Sequence, residues 1–312
     1  MAARNPSVLC IGICCMDLIQ VCEAYPEEDS DVRSKHGRWQ RGGNPSNNCT
    51  VLALMKLKCE FMGTLSDSAM SSWLLEDLSK RNISTKHCVV HRGCETPLSS
   101  VLLSLERGTR TIVHSNPNLP ELTFEDFKCC NLNEYTWIHF EPRNPPEIER
   151  MMCMVHRWNE RVSESERIII SLELEKPGKH PVQMAELADV VFLSRIYSEK
   201  ELHVTDMRTA VISLHSRLKR KCKIICAWGS FGSAAMDVSG NLLYAPPYPP
   251  EKIVDSLGAG DTFCAAVIYA LANGKNLYSA ILYGNRIAGA KVGFHGYDTI
   301  ADIYKHMYED LQ

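Results

Sequence analysis

The run Asp255-Ser256-Leu257-Gly258-Ala259-Gly260-Asp261-Thr262 carries the strongest chemical signal in the chain. Behind it, Phe263 to Ala272 is almost wholly apolar and stops at Asn273-Gly274, which predicts a buried helix with glycines at its entrance. Glycines let successive amides turn toward one point, and the helix N-terminus adds partial positive charge. Gly258, Ala259 and Gly260 can therefore hold a phosphate or a developing anion. Asp261 falls in the first turn, where a carboxylate can cap the helix or, next to an anion hole, accept a proton.

A second run, Gly42-Gly43-Asn44-Pro45-Ser46-Asn47, opens a helix that continues through Cys49, Val51, Leu52 and Leu54. Asn44 and Asn47 are three apart, so both project from one side of the first turn beside free amides. That arrangement suits a polyhydroxyl ligand; capping by Asn44 or Ser46 is the plainer role. Asp17 is expected at the carboxyl end of the first strand, the edge where open parallel sheets gather ligands. A carboxylate there can accept two hydroxyl hydrogen bonds, although a lone Asp after a strand also serves as a turn former.

These groups need a scaffold, and apolar runs recur to supply one: Val8 to Cys14, Glu60 to Leu65, Trp137 to Glu141, Ile168 to Glu173, Val190 to Leu193 and Lys223 to Trp228. Between them Ser66 to Arg81, Pro146 to Arg161 and Asp206 to Leu218 have helical spacing. The alternation predicts an α/β fold with a doubly wound parallel sheet. Two stretches break the pattern. Asp31 to Trp39 is polar and aromatic, and Leu98 to Leu105 with Thr109 to His114 reads as a hairpin turning at Arg107-Gly108. Both suggest a small β lid with one wet face.

Composition narrows the function classes. A net charge of -3 provides no broad positive field for nucleic acid or an anionic membrane. The apolar run at Val8 ends at Asp17, far short of a membrane span. The 14 cysteines form neither a disulfide framework nor a zinc pattern, so a reduced, cytoplasmic protein is expected. No Walker A string occurs, which excludes a P-loop kinase. A dinucleotide fold would want Gly-x-Gly-x-x-Gly after the first strand, where this chain has Ile13-Cys14-Cys15-Met16-Asp17.

Together, the GGxxxN motif at Gly42 to Asn47 and the DTxGAGD motif at Asp255 to Asp261 resemble the ribokinase, or PfkB, family of carbohydrate kinases over nearly the whole chain. Within that family, Tyr25 to Ser30, Arg38 to Asn44 and Cys226-Ala227-Trp228 are most similar to the ketohexose-phosphorylating branch. The resemblance implies one ribokinase-like domain over 1–312, with lid strands inserted at about 29–42 and 97–116. It implies ATP-dependent phosphorylation of a ketohexose, D-fructose above all, at O1. Asp17, Gly43, Asn44 and Asn47 would bind the sugar, joined by Asp29 from a partner in a homodimer formed through the lids. Arg110 would contact substrate or phosphate, the Gly258 to Gly260 loop would be the anion hole, and Asp261 the base.

On the nucleotide side the resemblance implies Arg195, Trp228, Gly229, Ser230, Gly232, Pro249, Asn285 and Gly289. It places Mg²⁺ on the phosphates and K⁺ beside Asp255. Two departures stand out. Ser230 replaces a Glu of the ketohexose branch, and Ser194-Arg195-Ile196-Tyr197 replaces the NxxE element of other branches, which leaves the Mg²⁺ shell to water and Glu173. Transfer to a 6-hydroxyl, to ribose or to adenosine keeps the same loop, and so does a silent sugar or nucleotide sensor.

Overall fold

The structure is a computed structural model and describes residues 5–178 and 182–311. Eight strands form the main sheet: β1 (Ser7–Ile11), β4 (Lys58–Met62), β9 (Trp137–Phe140), β10 (Ile169–Leu174), β11 (Val190–Leu193), β12 (Lys223–Ala227), β13 (Ser233–Met236) and β14 (Leu242–Ala245). Their spatial order is β4-β1-β9-β10-β11-β12-β13-β14, parallel as far as β12, with the last two strands antiparallel. The order reverses between β1 and β9, so a crevice opens at the carboxyl ends of these two strands.

Both faces of this sheet are covered, which is why β1 is buried throughout and reads as an uninterrupted apolar run. Val8 and Cys10 join a core with Phe61 and the helices α1 (Asn44–Leu54), α5 (Ala259–Ala272) and α6 (Leu277–Val292). Leu9 and Ile11 face the opposite core with Ile138, Phe140 and the helices α3 (Pro145–Asn159) and α4 (Met207–Arg217). Two further helices, α2 (Ala69–Lys80) and α7 (Ile300–Glu309), flank the first of these layers. A short parallel pair, β5 (Thr64–Ser66) and β6 (Val89–His91), brackets α2 in the chain before the next lid strand.

The lid is a four-stranded sheet ordered β3-β2-β7-β8, from β2 (Cys15–Cys22), β3 (His36–Gly42), β7 (Leu98–Ser104) and β8 (Thr109–Ser115). Ile19, Val21, Val101 and Leu103 turn inward and pack with Leu257 of the glycine run. Two expectations are corrected here. Asp17 lies on lid strand β2, not at the end of the first sheet strand. The chain breaks at Gly12, whose φ of 154° and close approach to Glu141 and Pro45 leave no room for a side chain. The segment 29–35 is not strand, since pairing begins only at His36. The apolar stretch before Asp17 hid the start of a period-2 lid strand.

Candidate active site

Gly258 is the N-cap of α5 with φ 72°, a left-handed conformation, and an added Cβ would lie 1.9 Å from the Tyr297 hydroxyl oxygen. Gly260 differs: its backbone is ordinary, and nothing lies within 4 Å of the Cβ position. The fold itself does not require glycine at 260. Open space there, above free amides at the N-terminus of a buried helix, is what a closely approaching anion needs.

Asp261 stands in the first turn of α5, half-buried. Asn47 Nδ2 donates to its Oδ2 at 2.7 Å, and Asn48 Nδ2 donates to its backbone oxygen at 2.9 Å. Burial, then the nearby carboxylates of Glu173 and Glu175, push the Asp261 carboxyl up to about 8. The Asn47 hydrogen bond and the Arg110 guanidinium work in the opposite direction. Arg110, on exposed β8, is thus near enough for its charge to act on Asp261.

The GGxxxN turn is shaped by the same crowding. A Cβ on Gly42 would fall 2.3 Å from both Asp17 carboxylate oxygens, and one on Gly43, with φ 97°, would fall 2.2 Å from the Ile13 carbonyl oxygen. Asp17 is buried, and burial raises its pKa against the help of Ser99 and Cys15. Asn44, the first residue of α1, makes no cap bond. Its Nδ2 donates to Glu173 Oε2 at 2.9 Å and Glu175 Oε2 at 2.8 Å. Glu173 is further held by His139 Nε2 at 3.0 Å, while His139 Nδ1 and Trp137 Nε1 meet on the Ser171 hydroxyl. Burial alone would raise the Glu173 carboxyl; the His139 contact and Asn44 outweigh it, so the group stays ionised. Across the β1–β9 crevice Glu141 accepts from the Ile13 amide at 2.9 Å, and burial lifts its carboxyl to about 6.

The residues expected on the nucleotide side follow β11, β12 and β14 or lie on α6. Arg195 pairs with Glu199 at 2.7 Å and lies 5.6 Å from the ring of buried Trp228. Gly229 and Ser230 are exposed just after that ring. Gly232 and Gly289 are close-approach glycines, one against the Ala245 carbonyl and the other against the Tyr248 carbonyl. Asn285 donates to the Ala245 and Pro246 carbonyls at 3.0 and 2.8 Å, so it fixes the segment carrying Pro249.

Asp29 sits on the exposed β2–β3 connection with φ 61° and, among the described residues, shares no hydrogen bond or ion pair with the site. Asp255 is near the loop but is not a free ligand. Arg38 of the lid donates to its Oδ2 at 2.9 Å, and the fully buried Lys291 lies 3.4 Å from that oxygen and donates to the Asp255 carbonyl at 2.8 Å. Two side-chain cations thus meet the carboxylate that the resemblance places beside K⁺. Glu175, Asn48, Arg38, Lys291 and Tyr297 escaped the sequence reading. Only the Glu173-x-Glu175 spacing, two acids on one side of a strand end, was a usable signal.

An anion loop with an adjacent carboxylate, facing a polar helix entrance under a lid, defines a phosphotransferase of the ribokinase-like fold. Residues 5–302 match the pfkB family carbohydrate kinase, and the chain belongs to that family of ATP-dependent sugar kinases. It is 36% identical to mouse ketohexokinase over 95% of this chain and 99% of the mouse protein. It is 24% identical to 5-dehydro-2-deoxygluconokinase of Listeria innocua over 94% of this chain and 91% of that one. Arabidopsis thaliana ribokinase, solved with ribose and ATP, superposes with a TM-score of 0.78 at 18% identity, covering 98% of this chain and 99% of the other. Giardia lamblia ribokinase gives 0.82 at 16%, with 98% and 99% coverage.

Proposed function

We propose that this chain transfers the γ-phosphoryl group of ATP to a ketohexose, D-fructose above all, at the O1 hydroxyl. The observation that carries the reading is the 2.7 Å contact between Asn47 and Asp261, which joins the polar entrance of α1 to the anion loop of α5. Short polar groups at Asp17, Asn44 and Asn47 suit a ring covered in hydroxyls, and a purine would leave them unpaired. The mouse relative, matched across nearly all of both chains, supports a ketohexose as acceptor, and the choice of O1 rests on that likeness alone.

In this reading Asp17 and Asn47 orient the acceptor so that its hydroxyl meets Asp261. Asp261 takes the proton late, as the loose transition state acidifies the alcohol. The amides of Gly258, Ala259 and Gly260 stabilise the charge on the transferred group, with Arg110 above them. Among the described residues no cluster of three His, Cys, Asp or Glu side chains forms a metal cage. Ionised Glu173 beside Glu175 fits a hydrated Mg²⁺ carried mainly by phosphates, which would neutralise charge between donor and acceptor. Arg195 and Trp228 hold the nucleotide side.

Two lids joined in a homodimer complete the proposal. Trp39 and Val113 stand exposed on the lid at 62% and 65%, and all of β8 is open to solvent. A second copy would cover them and bring Asp29 to its neighbour's sugar site. Placement in the cytoplasm is supported by cysteines that are all free and by the absence, among the described residues, of any helix long and apolar enough to cross a membrane. A coupled ADP-production assay over fructose, glucose, ribose and adenosine tests the reading. Fructose should give the highest kcat/KM, and a preference for adenosine would overturn the substrate class.

A further inference from the structure

Among the described residues, several buried polar atoms around the glycine loop lack hydrogen-bond partners: Arg38 Nη1, Asn47 Oδ1, Asn48 Oδ1 and the Tyr297 hydroxyl. Three of these belong to residues already tied to Asp255 or Asp261. Tyr297 is the outlier. It follows α6, is 5% exposed, and packs its ring in the apolar layer with Lys291 Nζ 5.5 Å from the ring centre. For that packing a phenylalanine would serve as well, without stranding a hydroxyl away from water.

The place where the hydroxyl is stranded gives it a use. Its oxygen occupies the space a side chain on Gly258 would fill, at the mouth of the anion loop. Burial keeps the phenol neutral, and the charges that act on it next are Asp261, Arg41, Asp17 and Asp255. The glycine that would face the phosphoryl group thus lies against it, and the carboxylates that would take the acceptor's proton and bind its hydroxyls act on it through their charge. A neutral phenol is both donor and acceptor, which suits a neutral polyol.

We propose that Tyr297 is a further acceptor-binding residue, whose hydroxyl exchanges a hydrogen bond with an oxygen of the bound sugar and thereby contributes to selection among sugars. This rests on the sugar-kinase reading of the site but not on which sugar is preferred. The test compares Tyr297→Phe with the full-length wild type, using whichever sugar the wild type phosphorylates best. An incorrect ketohexose assignment would then appear in the wild-type panel and leave the Tyr297 comparison intact. The variant should melt at the same temperature or higher, because a stranded polar group is gone. Its kcat/KM for the sugar should fall about 5- to 150-fold, mostly through KM, with KM for ATP unchanged. A sugar kcat/KM within twofold of wild type would overturn the proposal. So would a lowered melting temperature, which would make the hydroxyl structural, or a loss confined to kcat, which would assign it to the phosphoryl group instead.

Discussion

Asn47 Nδ2 lies 2.7 Å from Asp261 Oδ2, although the residues are 214 positions apart in sequence. Each stands in the first turns of a buried helix, and the two helices pack against each other beneath the lid. One hydrogen bond thus connects the groups that would hold an acceptor to the group that would deprotonate it.

Replacing Asp261 by Asn preserves shape and removes the proposed base. Turnover should fall by roughly 10²- to 10⁴-fold while ATP binding, measured by calorimetry, persists. Retention of more than about a tenth of wild-type turnover would remove Asp261 from this role.

The same residue predicts a pH dependence. With its carboxyl pushed from 3.8 up to about 8, chiefly by burial, the free enzyme holds a proton there that the unfolded chain has released. The stability contributed by this group is present at low pH and lost as pH rises through about 8. Asp261→Asn has no such loss, so its melting temperature should gain on the wild type between pH 5 and 8. In the wild type, kcat/KM for the acceptor should decline on acidification with an apparent pKa well above 3.8. A profile flat down to pH 5 would contradict this.

Gly260→Ala separates fold from function. With no neighbour within 4 Å of the Cβ position and a helical backbone, alanine should stabilise the protein by about 0.5 to 1 kcal/mol. A methyl group facing the proposed phosphoryl path should nevertheless lower kcat by at least tenfold, on the order of a misplaced oxyanion donor. Thermal melting and steady-state rates on one preparation check both halves.

Asn44→Ala removes the amide shared by Glu173 and Glu175 as well as a proposed sugar contact. The loss should cut kcat/KM for the sugar by about 5- to 150-fold, equivalent to roughly 1 to 3 kcal/mol. Because two carboxylates then face each other without their donor, the Mg²⁺ concentration at half-maximal rate should also shift. A variant that changes only the sugar KM would confine Asn44 to the acceptor.

Much of this arrangement was legible in the sequence because it is local. The continuous apolar runs of β1, β9 and β11 require burial on both faces, and the glycines of 42–43 and 258–260 announce tight helix entrances. What could not be read depends on distant parts meeting. Nothing near Asp255 indicates that Arg38, 217 positions away, and the buried Lys291 will neutralise it. Tyr297 looks like one more aromatic residue until Gly258 is placed beneath its hydroxyl. Asp17 was assigned to the wrong strand because the turn at Gly12 interrupts an apolar run without changing its composition.

The most direct test of the central claim is phosphorus NMR of the wild-type protein incubated with D-fructose, ATP and Mg²⁺. The account predicts that the γ-phosphate signal is replaced by that of a single sugar ester whose phosphorus couples to C1 and C2 of the ketose. An ester coupled to C5 and C6, or an ATP spectrum unchanged by fructose under conditions where adenosine is phosphorylated, would contradict it.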